Sequence, residues 1–202
     1  NIILIISLLF YSFSVVNAQK HVFFKSPWKG DVTVAKESKG GLNMPTITVP
    51  ERCWHMDASL QDISIYKDVQ LNDANKNKTI WCSFLALKEK GNSHLGLSFE
   101  KDNVKKILVE AGVSQTPQLI VVRIDYSEKT DRAYIFYSPT AAAVPDLENA
   151  VSVLSGDFDF NRIRILAEKG SKGMVSDVFI GTNYHDVVRP NKLQVVEKEG
   201  QA

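Results

Sequence analysis

Residues Gln118 to Tyr126, QLIVVRIDY, alternate with a period of two. Ile120, Val122, Ile124 and Tyr126 fall on one face. Leu119, Val121, Arg123 and Asp125 fall on the other, which turns polar towards its end. Successive side chains of a strand point to opposite faces, so this spacing specifies a β-strand; the run is also too short for a helix of such apolarity. A polar turn follows at Ser127–Asp131, and Arg132 to Ser138, RAYIFYS, reads as a second strand, which makes a hairpin. The same grammar recurs along the chain. Thr79 to Lys88 is long and apolar, as expected for a strand covered on both faces. Leu95 to Lys101 and Lys105 to Ala111 alternate around the turn Lys101-Asp102-Asn103. Ile63 to Val69, Phe158 to Leu166 and Gly173 to Thr182 follow, with weaker candidates at Val22 to Lys25 and Val32 to Ala35. Only Pro145 to Leu154 carries some helical spacing, and it reads as an irregular loop or one or two turns. Short strands with turn chemistry between them and almost no helix predict an all-β chain, an antiparallel two-sheet β-sandwich or barrel.

Of the 202 residues, 44% are hydrophobic and 23% charged, a composition able to fold around its own core. Lys+Arg is 24 against Asp+Glu 23, a net charge of +1. A nucleic-acid grip through phosphates shows a basic excess, so nucleic acid is not an expected partner. Residues 1–18 shift the average. Ile2 to Val16 is an apolar run diluted by Ser7, Ser12 and Ser14, and Val16-Asn17-Ala18 sets small or apolar residues at the −3 and −1 positions of a signal-peptidase site. The expectation is a secretory leader over 1–18, truncated at its start, and one sandwich domain over 19–190. A charged tail would occupy 191–202. Removal of the leader would leave no stable membrane span, and the mature chain is expected outside the cytoplasm, secreted or in the periplasm or at the cell surface. Cys53 and Cys82 fit export, where two cysteines can form one disulfide. A Cys53–Cys82 bridge is the favoured reading, and two buried free thiols are the alternative.

In the C-terminal third, FDFNRIRI, a glycine-containing turn over Lys169–Gly173 and then VSDVFIGTNYHDV resemble the end of the concanavalin A-like, laminin-G-like jelly-roll domains of many secreted bacterial proteins. There the penultimate strand is similar to F-D-x-I-R-I and the last to D-E-I-R-I-G-T. SFLAL, LIVVRIDY and YIFYSP resemble that family's central strands. The likeness covers about residues 79–188. It implies a two-sheet antiparallel jelly roll with N- and C-terminal strands paired, and only loosely a glycan-binding or adhesive role, because one fold hosts many functions. Ser176 stands where the motif has Asp, Asp177 matches its Glu, and Phe179 replaces its Arg, which weakens a polar role for the motif here. Gly181 suits a permissive backbone at a strand end.

Hydrolysis of glycosides needs two carboxylates about 5–5.5 Å apart, or about 6.5–9.5 Å for inversion. No strand shows the Glu-x-Asp-x-Glu pattern that would line one face. Asp157 and Asp159 are expected to pair with Arg162 or Arg164 or to lie in a turn; Asp125 and Asp131 bracket a hairpin and read as solvated. His21, His55, His94 and His185 form no metal-ligand spacing and accompany no nucleophile motif. Ca²⁺ is a candidate cofactor, since Asn72-Asp73-x-Asn75 and Asp102-Asn103 are oxygen-rich, although turns favour these residues anyway. Trp28 and Trp54 are the candidate sugar-stacking platforms, with Tyr66 and Tyr184 behind them; Trp81 reads as core, core is also the favoured reading for Trp54, and Trp28 could be either. The expected activity is non-catalytic, lectin-like binding of carbohydrate or another extracellular surface component. The alternatives are a polysaccharide-cleaving enzyme on the same fold and an adhesive envelope protein with an exposed apolar patch.

Overall fold

In a computed structural model of the chain, which describes residues 27–39, 42–44, 46–47, 52–71 and 79–189, the alternating segments pair into two antiparallel sheets. The smaller sheet contains β1 (Lys29–Gly30), β4 (Ile63–Asp68), β6 (Leu95–Lys101), β7 (Val104–Glu110) and β11 (Arg162–Ala167), in the order β1-β4-β11-β6-β7. The larger contains β2 (Lys36–Lys39), β3 (Arg52–Asp57), β5 (Thr79–Lys90), β8 (Gln118–Asp125), β9 (Asp131–Tyr137), β10 (Ser152–Gly156) and β12 (Lys172–Ser176), in the order β10-β9-β8-β5-β12-β3-β2. A short β13 (Phe179–Gly181) also lies beside β5. Early and late strands are neighbours in both sheets, as β4 with β11 and β3 with β12. The architecture is the expected β-sandwich.

Alternation decides what each sheet buries. From β5, Ile80, Cys82, Phe84 and Ala86 enter the layer between the sheets, where they meet Ile120, Val122 and Ile124 of β8 and Ile163 and Ile165 of β11. The opposite face of β5 and β8, with Trp81, Leu85, Leu119 and Val121, is also buried. It is covered by Leu42, Ile47 and α1 (Tyr184–Val187) with Val188. That second layer explains why Thr79–Lys90 is apolar along most of its length: a strand covered on both faces has no polar register to keep. It also explains Gly181. Its φ is not in the left-handed region; a Cβ there would stand 2.6 Å from the Cβ of Asp186, so glycine lets α1 lie against β13.

Several expectations change. Val32–Ala35 is a turn, and the strand starts at Lys36. Residues 158–161 are not strand, and the final strand is broken at Asp177-Val178. Strands β3 and β10 go beyond the segments that alternation marks out, although the loop before β10 does hold a single 3-10 turn at Leu147–Asn149. Val22–Lys25, the leader and the tail lie outside the described residues. Among the described residues no helix is long and apolar enough to cross a membrane.

The disulfide expectation is overturned: Cys53 and Cys82 are buried free thiols. Strand β12 lies between β3 and β5, so their backbones are two strand spacings apart, about 10 Å, whereas a bridge needs Cα atoms within about 7 Å. The side chains also point apart. Cys82 faces the layer between the sheets, and Cys53 faces the covered outer side, with its Sγ 3.0 Å from Ser38 Oγ. Burial pushes the Cys82 thiol far above its ordinary pKa.

Candidate functional site

The outer face of the smaller sheet is polar where that of the larger is apolar. The phase that buries Ile63 and Ile65 turns Ser64, Tyr66 and Asp68 outward from β4. The phase that buries Ile163 and Ile165 does the same for Arg162 and Arg164, and Ser98 and Glu100 leave β6 on the same side. Register sets these groups in rows. Arg162 stands opposite Asp68 on one neighbour and Glu100 on the other; Arg164 stands opposite Tyr66 and Ser98.

Each charge in these rows is held. Arg164 donates from Nε and Nη2 to the two carboxylate oxygens of Glu100, at 2.8 and 3.0 Å, and from Nη1 to Ser64 Oγ. Such a two-pronged pair fixes both side chains in one plane. Ser98 Oγ donates a further bond to Glu100. Burial alone would raise the Glu100 carboxyl, but the bonds from Arg164 and Ser98 outweigh it and hold the group below its ordinary value. Lys29 and Arg162 do the same for Asp68, through bonds of 2.8 Å each. The Tyr66 ring lies 4.1 Å from the Arg162 guanidinium and 5.1 Å from that of Arg164, so cations cover it.

At the end of the rows lies a cleft of about 350 Å³, lined by Asp68, Val69, Asp102, Asn103, Asn161 and Arg162. Its wall is the tight turn joining β6 to β7. Asp102 and Asn103 both have positive φ, at 50° and 68°, the geometry of a two-residue hairpin turn that Asp and Asn tolerate. Asn161 clamps the turn, donating from Nδ2 to Asp102 Oδ1 at 2.7 Å and accepting from the Asp102 backbone N–H at 3.1 Å. Arg162 Nη1 donates to Asn103 Oδ1. Carboxylates, two amides and a guanidinium thus present fixed donors and acceptors around one small cavity.

The aromatic candidates lie elsewhere. Trp28 and Trp54 are 7% and 3% exposed, packed edge to face between the sheets with ring centres 6.1 Å apart. Trp28 Nε1 donates to Asp177 at 3.0 Å, and Lys67 Nζ stands 4.7 Å from its ring. Tyr184 is 2% exposed, lies edge-on to Trp81 and donates its hydroxyl to the Thr140 carbonyl; burial pushes its pKa up to about 12. None of the three presents a ring face to solvent. Trp81 is core, as expected.

The segment that resembles D-E-I-R-I-G-T has a polar role after all. Where the last strand breaks, Ser176 Oγ accepts the Leu85 backbone N–H at 2.8 Å and supplies a missing rung of the ladder. Asp177 turns inward to take Trp28 and Lys67. Asp157 and Asp159 pair with Lys106 and Lys101 rather than with the arginines. Asp131 is buried, not solvated, and accepts the backbone N–H groups of Ser127 and Phe158. Asn72–Asn75 lies outside the described residues, and among the described residues no group of three or more His, Cys, Asp or Glu could hold a metal ion. The cleft residues Asp68, Asn161 and Arg162 carry no binding motif in the sequence. The one signal there is the arginine alternation Arg162-Ile163-Arg164-Ile165. No protein-family model and no curated protein matches the chain.

Proposed function

We propose that the chain is an exported, non-catalytic binding module that takes a carbohydrate at the cleft formed by Asp68, Asn103, Asn161 and Arg162, in the manner of the concanavalin A-like domains it resembles. The observation that carries this reading is the cleft itself. Neighbouring hydroxyls of a sugar ring both donate and accept, and planar carboxylate, amide and guanidinium groups meet two of them at once. These groups are already oriented by each other, which lowers the entropy lost on binding. The leader-like run at 1–18 supports export.

Asp68 and its neighbour Glu100 are not held as hydrolysis would require. Asp68 and Glu100 are two strands apart, about 10 Å between backbones. General acid catalysis needs one carboxyl held protonated near neutrality. Asp68 of the cleft and Glu100 beside it are both held ionised by cations. A glycan array tests the proposal. Binding of a discrete set of glycans that falls by about tenfold or more in Arg162→Ala is expected. An empty array together with an empty cell-wall pull-down would sink it.

A second reading, an adhesive surface, rests on a different observation. Val144, Leu147 and Val151 are exposed along the loop leading into β10, and Val153 is exposed on β10 itself, the edge strand of the larger sheet.

A further inference from the structure

The opposite end of the sandwich holds a second cleft, of about 290 Å³, lined by Lys88, Glu110, Ala111, Gly112, Gln118 and Tyr137. It is built by interior rows that end in polar residues. On β5 the row Phe84 and Ala86 leads to Lys88. On β8 the row Ile124, Val122 and Ile120 leads to Gln118. On β9 Ala133 and Ile135 lead to Tyr137. Register keeps the endings together, since Ala86 pairs with Gln118 and Ile120 with Tyr137. Glu110 reaches in from β7 of the other sheet.

Two features set this cleft apart from an ordinary sandwich end. Lys88 is a cation with its side chain 4% exposed, and Glu110 Oε1, 2.7 Å away, is the acceptor its ammonium group meets. An ammonium carries three donors, so this pair does not exhaust it. Gln118 Oε1 is buried and has no hydrogen-bond partner among the described residues, an arrangement that costs free energy unless something else supplies a donor. The surroundings are fixed. Tyr137 donates its hydroxyl to the Glu110 carbonyl at 2.6 Å, and the Ser114 backbone N–H bonds the Lys88 carbonyl. The torsion that carries the Gln118 amide is broad and roughly two-fold, so Oε1 can turn to the mouth without disturbing the backbone.

We propose that this cleft binds a small neutral ligand through a group that donates and accepts at once, a hydroxyl or an amide. Such a group gives its hydrogen to Gln118 Oε1 and receives one from Lys88 Nζ. A carboxylate lacks the hydrogen, and an ammonium lacks the acceptor. Lys88 and Glu110 already balance each other's charge, so a neutral ligand leaves the balance intact. The volume is at the small end of ligand pockets, about 300–1,000 Å³, which suits one ring or a short chain. The site is independent of the cleft at Arg162.

The test is an amide NMR titration of the ¹⁵N-labelled protein with glucose, N-methylacetamide, N-acetylglucosamine and sodium acetate. Saturable shifts at the Gly112 backbone amide and the Gln118 side-chain amide are expected with at least one neutral probe and none with acetate. Glucose alone among the simple probes identifies a hydroxyl, and N-methylacetamide an amide. Gly112→Leu fills the cleft: Gly112 is exposed, and a Cβ there meets only the Gln118 amide, at 3.5 and 3.6 Å. It should abolish the shifts and leave the rest of the spectrum in place. Gln118→Leu should also abolish them, with an unchanged or higher Tm. No saturable shift with any neutral probe, shifts with acetate alone, or shifts that survive Gly112→Leu would overturn the proposal.

Discussion

Replacing Arg164 with Met tests whether the polar face is held by the pair with Glu100. The Glu100 side chain is 3% exposed and that of Arg164 20%. Removing one partner of a fully buried pair costs about 3–5 kcal/mol, because the other charge stays buried without compensation. Water reaching the Arg164 side discounts this to about 2–3 kcal/mol. The pH dependence carries the more specific signature. In the parent protein the folded Glu100 carboxyl lies below its ordinary 4.5, so its contribution is present above that pH and is lost as pH falls through the folded value. In Arg164→Met burial dominates and raises the folded value above the unfolded one, so protonation favours the fold. Urea unfolding at pH 7 and pH 4 should show a deficit that is largest at pH 7 and narrows at pH 4. Glu100→Leu combined with Arg164→Met should recover most of it, since an apolar pair leaves no orphaned charge. A deficit below about 0.5 kcal/mol at pH 7, or one that widens in acid, would refute the reasoning.

The cysteines should behave as two separate thiols: an Ellman titration should find both only after denaturation, and a reductant should leave Tm unchanged; a Tm drop with reductant would restore the disulfide. His94 is buried, and desolvation holds its pKa below the ordinary 6.5, with Glu110 and Glu168 opposing. Stability contributed by keeping it neutral is present above about pH 6.5 and declines as pH falls towards the folded value, so His94→Gln should flatten thermal unfolding midpoints between pH 7.5 and pH 5.5. Gly181→Val should lower Tm by several degrees, since its Cβ would meet Asp186 at 2.6 Å; an unchanged Tm would show that α1 does not lie there.

Strands with clean alternation are legible because one interior face imposes period two on the sequence, as at Gln118–Asp125. Arg52–Asp57, RCWHMD, is not, because Cys53, Trp54 and Met56 are buried on different sides and leave no alternation of polarity to read. The break at Asp177 is hidden for a related reason: a side chain, Ser176, replaces a backbone rung there. Trp54 keeps a stacking reading open in the sequence because its polar neighbours His55 and Asp57 suggest exposure, whereas the indole itself points inward, as its favoured core reading has it. For the cleft, Arg162 and Arg164 can be seen to alternate with Ile163 and Ile165. Their partners Asp68 and Glu100 come from β4 and β6, and cross-strand register is set by the whole sheet rather than by any local segment.

A carbohydrate is proposed to bind the cleft beside the turn between β6 and β7. Chemical-shift mapping with the strongest glycan from an array tests it most directly. Shifts of the side-chain amides of Asn103 and Asn161 that disappear in Arg162→Ala are the predicted result. Shifts confined to the exposed Val144–Val153 surface, or none that saturate at the cleft, would contradict it.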